Sequence, residues 1–333
     1  LIVVDLIRGG IVLLVPTLFY LMGNLYAFYL PVLLLSLANL WFAPAKSAVI
    51  PEIFGERYLL QINAVLWGLG IVGTLGGFLL GGWLIDFHSW ETSFYSDGAS
   101  YLVSVVFLLP LLAVARARKN ERPKQTPAPP GDGARGMIGS VREGLVLIRG
   151  NRPVAYGLIT QTTLFGGLGI LYVIGIAHIQ SVFPPDKTIY LSIVASAATI
   201  GLLVGAALGA ALRRWLSVNS VIAQSTFLLA ISCIGIARTD TLVPMTVWAL
   251  VMGISLSPLF IVPETLLQVS TPEAFRGRVF SSREVLTKAS FLVMSSVATL
   301  ATALVGKETI IMGVGVVLAG LAMLLATKNF LKA

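Results

Sequence analysis

Long, nearly unbroken apolar stretches alternate with short polar joints along this chain. A helix that crosses the hydrocarbon core of a bilayer needs about 20 mostly apolar residues. That measure predicts spans near 1–22, 25–45, 60–84 and 94–114, then near 153–182, 188–212, 218–237, 241–263, 283–305 and 308–327. Barrel strands would show as short segments of alternating polarity, and the runs here are far longer. The pattern therefore predicts an all-α polytopic membrane protein with about ten transmembrane helices, in a four-span bundle over 1–114 and a six-span bundle over 153–333.

The polar linker between them, 115–152, has two parts. Residues 116–134 set Pro123, Pro127, Pro129 and Pro130 among charges, a composition that does not fold alone. Residues 137–149 place Met137, Val141, Leu145 and Ile148 on one helical face. That is the pattern of an amphipathic helix at the cytoplasmic interface; a solvated helix packed on the bundle fits the same pattern.

Composition narrows the solvent. Hydrophobic residues make up 56% of the 333 and charged residues 11%, against about 25% charged in soluble domains, and the mean hydropathy is +0.90. Only helices and closed barrels satisfy their own backbone in lipid. The net charge of +8 does not call for a nucleic acid, because nine of the 23 Lys and Arg lie between Arg116 and Arg152. With strict alternation of the spans, nineteen of these bases fall on one side and three (Lys187, Arg238, Lys307) on the other, with Arg8 left near the inner end of the first span. The positive-inside rule then sends the first span outward and leaves the C-terminus cytoplasmic; the membrane expected is a bacterial inner membrane. The single cysteine, Cys233, lies in an apolar run and reads as a small hydrophobe.

Two segments repeat. Ser36-Leu37-x-x-Leu40-Trp41-x-x-Pro44 recurs 219 residues later as Ser255-Leu256-x-x-Leu259-Phe260-x-x-Pro263, and Pro51-Glu52 with Arg57 recurs as Pro272-Glu273 with Arg278. Both copies close a span on the cytoplasmic side, six spans apart. Parallel six-span repeats are a transporter architecture; on that pattern two spans are expected ahead of Leu1, a true ten-span protein being the alternative.

These residues resemble the major facilitator superfamily, closest to its enterobactin-exporter-like and macrolide-efflux-like permeases. The resemblance is carried by Asp5-Leu6-Ile7-Arg8, Phe42-Ala43-Pro44-Ala45-Lys46, Ile50-Pro51-Glu52 and Asn63. It continues through Phe94-Tyr95-Ser96-Asp97-Gly98-Ala99-Ser100-Tyr101, and Thr271-Pro272-Glu273 with Arg276-Gly277-Arg278-Val279. Their order fits helices three to twelve of the family, as an N-terminally truncated member. The resemblance implies a substrate cavity between two six-helix bundles that opens to each side in turn. It implies that Ser36, Asn39 and Trp41, Gln161, Thr162 and Tyr172, and Ser255 and Ser257 lie on cavity-lining helices. Such a lining, apolar with a few hydrogen-bonding points, suits amphipathic solutes better than sugars or organic anions. Each of these polar groups could equally bond to nearby backbone.

Gly73, Gly77 and Gly81 form a ridge on one predicted span, and Gly201, Gly205 and Gly209 on another. Small residues every four positions let helices approach closely. Packing within one bundle is one reading. The resemblance implies another, a sliding contact between the two ridges at the moving interface. The first ridge also resembles the family's antiporter motif, with Phe78 where that motif has proline, and so leans toward efflux.

Ionisable residues inside lipid default to functional hypotheses. Asp97, about one turn into its span with Ser100 and Ser104 nearby, could couple transport to protons or cap its helix. Asp5 with Arg8, and Glu284 with Lys288, have the spacing of snorkelling ion pairs and could latch a cytoplasmic gate. Enzyme chemistry finds little support: the two histidines, His88 and His178, are remote from each other, and no metal-ligand cluster, nucleophile elbow or phosphate loop occurs. No cofactor or metal is expected. The reading is a monomeric secondary transporter, an exporter of an amphipathic small molecule driven by protons. A nutrient permease or lipid flippase is the alternative, and a polytopic membrane enzyme or scaffold a further one. Gly77→Leu and Gly205→Leu are each expected to abolish transport with membrane insertion intact; wild-type transport in both variants would refute the sliding contact.

Overall fold

The structure is a computed structural model that describes residues 1–39, 42, 59–121, 151–184, 186–212, 217–271 and 276–327. Its described residues are helical apart from short joints. In chain order the helices are α1 (Ile2–Met22), α2 (29–39, entered through a 3-10 turn at Leu25–Phe28), α3 (Leu59–Phe87) and α4 (Trp90–Glu121). They continue as α5 (Arg152–Val182), α6 (Ile189–Leu212), α7 (Val218–Ala237), α8 (Leu242–Ser270), α9 (Arg276–Val305) and α10 (Lys307–Thr327). The chain divides into two compact units, Leu1–Ala128 and Pro129–Ala333. Seven of the described helices are long and apolar enough to cross a membrane, over Ile2–Met22, Gly68–Phe87, Pro153–Val182, Ile189–Gly209, Val218–Ala237, Leu242–Ser270 and Ser282–Thr302. Helices α4 and α10 cover the expected stretches 94–114 and 308–327. The amphipathic segment 137–149 lies outside the described residues.

Apolar side chains cover much of the outside: Leu304 is 87% exposed, Val269 79% and Phe107 76%. Water would not tolerate that many exposed apolar groups, whereas lipid favours them. The protein is therefore a multi-pass membrane protein.

Several helices run past their predicted ends. The stretch α8 continues through Pro258 and Pro263 to Ser270, since neighbouring helices can make good the hydrogen bond that each proline removes. Likewise α9 starts at Arg276 rather than 283, so Arg276 and Arg278 are helical and not in a loop. Residues 115–121 prolong α4 instead of belonging to the linker.

In the first unit α1 packs against α4, and α3 also touches α4. A Cβ at Gly98 of α4 would come within 2.6 Å of Leu13 of α1. The left-handed Gly23 (φ +63°) ends α1, and the Asn24 side chain accepts from the Tyr26 N–H at 2.9 Å to start the 3-10 turn.

The second unit is built from the pairs α6–α8, α5–α9, α7–α10 and α7–α8. Its core joins Ile174, Ile222, Leu229, Cys233, Leu256, Leu259, Val262 and Ile311. Between lipid-facing helices apolar burial gives little drive to associate, so backbone proximity has to supply contact. The Gly201 ridge does so within the unit. A Cβ at Gly205 would overlap Ile254 of α8, 2.8 Å from its Cα, and one at Gly201 would lie 2.9 Å from the Gly253 Cα. This face of α6 is thus filled by α8, which corrects its expected role as a sliding surface. Among the described residues, nothing lies within 4 Å of such a Cβ at Gly73, Gly77 or Gly81 of α3.

The two ridges should therefore respond differently to a single methyl group. Gly205→Ala is expected to cost about 1–3 kcal/mol of stability by overpacking, and Gly77→Ala to leave stability unchanged, measured by unfolding in mixed micelles. Equal stability of the two variants would contradict the packing described.

Candidate functional site

Each unit holds one cluster of charged and polar side chains among its apolar helices. In the first, Asp5 and Arg8 lie three residues apart on the first turns of α1, so both project to the same side of the helix. They are 2% and 5% exposed. Arg8 Nη1 donates to Asp5 Oδ1 at 3.3 Å, and Nη2 donates to the Asn39 side-chain oxygen on α2. The guanidinium also stacks 4.0 Å from the centre of the Phe42 ring. From α4 the Ser104 hydroxyl donates to the second Asp5 oxygen at 2.7 Å. A buried charge without partners would be prohibitive; here each member of the pair is held from two sides, and three helices converge on it.

The second cluster joins α5, α8 and α9. Gln161, 4% exposed, donates through Nε2 to Glu264 Oε2 at 2.9 Å. Arg283 bridges Glu264 and Glu284 through its two terminal nitrogens. Lys288 pairs with Glu284 at 3.2 Å across one helical turn, and Gln268 donates to Glu264 Oε1 at 3.3 Å. The Arg283 guanidinium sits 5.1 Å from the Phe280 ring centre. Beside the cluster Phe165 of α5 and Phe260 of α8 meet edge to face at 5.8 Å. The Asn151 side chain caps α5 and donates to the Ser270 carbonyl at the end of α8, fastening the same two helices (3.2 Å).

Sequence-based expectations meet this arrangement unevenly. Asp5 with Arg8 and Glu284 with Lys288 do pair, but each pair belongs to a larger network. Ser104, expected beside Asp97, serves Asp5 instead; Asp97 is exposed, and among the described residues its backbone carbonyl receives a bond from Ser100 at 2.7 Å. Ser255 and Ser257, expected on a cavity wall, are buried at 1% and 2%, with the Ser255 hydroxyl turned back to the Met252 carbonyl (2.7 Å). Ser36 bonds its own helix at Val32. The Thr162 hydroxyl is buried and has no hydrogen-bond partner among the described residues. Tyr172 is 63% exposed, its ring 5.9 Å from that of Phe291. Trp41 lies outside the described residues. No group of three or more His, Cys, Asp or Glu among the described residues could hold a metal ion.

Glu264 and the bridging role of Arg283 are absent from the sequence-based expectations. The predicted span stops at Pro263, one residue short of Glu264, although Leu266 and Leu267 continue the apolar run beyond it. A carboxylate inside that run is the signal of a functional group in lipid.

Residues 5–173 match the family model described as Major Facilitator Superfamily, just over half of the chain. A relative in Bacillus subtilis (strain 168), described as the uncharacterised MFS-type transporter YfiS, is 25% identical over 274 residues. The match covers 78% of this chain, which spans 61% of that relative's length.

The buried pair in α1 makes a quantitative expectation. Asp5→Asn leaves Arg8 charged and half-partnered in an apolar setting and should cost about 3–5 kcal/mol. Adding Arg8→Met should recover part of the loss, because the unpaired charge goes with it. A double-mutant cycle in mixed micelles measures this; additive losses would show that the pair is uncoupled.

Proposed function

The chain belongs to the major facilitator superfamily, and from that premise we propose that it acts as a secondary active transporter, a proton-coupled exporter of amphipathic small molecules. The observation that carries the coupling is the Gln161–Glu264–Arg283–Glu284 cluster, an ionisable network on three helices of one unit. Ionisable groups in spans mark ion and substrate pathways. Two carboxylates share one guanidinium here. A proton added to Glu264 removes one of them, and Arg283 keeps Glu284. Gln161 can then turn its amide oxygen toward the new hydroxyl. The network thus offers two hydrogen-bonded arrangements that differ by one proton, as coupling requires.

Pro263 lies immediately before Glu264, and Pro258 five residues further back. Each leaves a helix carbonyl without its usual donor, so α8 can bend where the carboxylate is attached. Release of Glu264 from Arg283 frees the last turns of α8, the motion that alternating access needs on this helix. Amphipathic cargo is supported by the sequence, whose candidate lining helices are apolar with few hydrogen-bonding side chains, and export by the Gly77–Gly82 likeness to the antiporter motif. The distribution of Lys and Arg supports a cytoplasmic C-terminus, and the membrane we assign is a bacterial inner membrane, because the relative in Bacillus subtilis is bacterial.

Glu264→Gln fixes the cluster in its proton-loaded form. In everted vesicles carrying the full-length protein, this variant should keep wild-type membrane levels and counterflow of fluorescent amphiphiles. It should lose at least tenfold of the accumulation driven by a pH gradient, since an amide has no carboxyl proton to pick up and release. Gradient-driven accumulation equal to wild type would refute coupling at Glu264.

A further inference from the structure

The end of the first unit where α1 closes and α4 opens gathers aromatic rings from three segments distant in sequence. Phe19 meets Trp90 edge to face at 5.1 Å, and Tyr20 lies 6.2 Å from the same indole. Phe28, at the end of the 3-10 turn, is 6.1 Å from Trp90 and 6.0 Å from Phe94, and Trp90 and Phe94 are 5.8 Å apart. Among them lies one carboxylate: the Tyr20 hydroxyl donates to Glu91. That bond holds the Glu91 carboxyl below the usual carboxylate range, so it is ionised at neutral pH. Tyr20 is nevertheless 67% exposed, with ring surface left over.

Aromatic residues at helix ends commonly form interfacial belts, in which each ring meets the headgroup region on its own account. A belt requires neither ring-on-ring convergence nor an anion at its centre. The charge around this cluster is also one-sided. Among the described residues the acid that touches it is Glu91, with Asp97 nearly two turns further along α4; His88 is held 4.9 Å from Trp83. No Lys or Arg occurs in residues 9–39 or 59–115. Ring faces are electron-rich, and ring faces beside an uncancelled carboxylate are the chemistry that recognises organic ammonium and phosphonium ions.

We propose that Tyr20, Trp90 and Glu91, backed by Phe19, Phe28 and Phe94, form a binding site for lipophilic organic cations at this end of the first unit. Its placement on the outer face of the membrane, and its service as a stage in export, rest on the transporter reading; the binding itself does not. The Tyr20 hydroxyl competes with the ligand for the carboxylate, so the site is partly self-occupied when empty.

The test is equilibrium binding of radiolabelled tetraphenylphosphonium to the full-length protein in nanodiscs, with tetraphenylborate as an anion of the same shape. Glu91→Gln should weaken cation binding roughly fivefold to tenfold, and Trp90→Leu by a similar factor, as cation–π and ion-pair contributions of this kind do. Tyr20→Phe keeps the ring, frees the carboxylate and should tighten cation binding. None of these gains or losses of affinity should appear for tetraphenylborate with Tyr20→Phe or Glu91→Gln. Unchanged cation affinity in both Glu91→Gln and Tyr20→Phe would overturn the site, and so would equal losses for cation and anion, the mark of an interfacial belt. A chain that binds the cation through Glu91 yet shows no gradient-driven transport would overturn the transport reading and leave the site standing.

Discussion

Arg8, 5% exposed, and Arg283, its side chain 19% exposed, each sit among helices whose outer surfaces face lipid, where a charge has little water to share it. Such a group can be kept only if the protein brings its counter-charge and its hydrogen-bond acceptors along. That requirement organises both units. Asp5, Asn39 and Ser104 come from three helices to meet Arg8, and Glu264, Glu284 and Gln161 from three others to define the surroundings of Arg283. Apolar packing alone would leave these helices free to slide past one another, since lipid is as good a neighbour as another leucine. The charge clusters fix their register, and the glycine contact of α6 with α8 fixes their distance.

Where the two constraints coincide, the second unit is tightly determined. Helix α8 carries Glu264 to Arg283 and Gln161, presents its backbone at Leu250–Ile254 to the α6 glycines, and ends tied to Asn151. It also carries two internal prolines. The same helix is thus the most strongly held and the one with built-in points of bending. Rigid attachment with a local weakness is what a moving part requires.

Hydropathy made the helices legible, because twenty apolar residues leave few other choices. Ion pairs three or four residues apart were legible as well, as Asp5 with Arg8 and Glu284 with Lys288 show. Partners across helices were not. Nothing in the spacing of Ser104 distinguishes service to Asp97, about two turns before it, from service to Asp5, ninety-nine residues away. Glu264 is hidden behind Pro263, which ends a helix in soluble proteins, whereas membrane helix bundles accept proline in mid-helix. The glycine ridges were visible in sequence, but the partner of the α6 ridge was set by α8, whose matching glycine, Gly253, stands alone in its sequence neighbourhood.

The charges of the second cluster also cancel: Glu264 and Glu284 against Arg283 and Lys288. Moving an elementary charge across 100 mV is worth about 2.3 kcal/mol, but a neutral assembly that shifts as a body does no electrical work. While Glu264 is unprotonated, the membrane potential has no purchase on this part of the protein. One bound proton gives it a net positive charge, and with it a lever arm in the field. On the coupling proposed above, the voltage component of the driving force acts on this cluster in its proton-loaded form and not in its empty one.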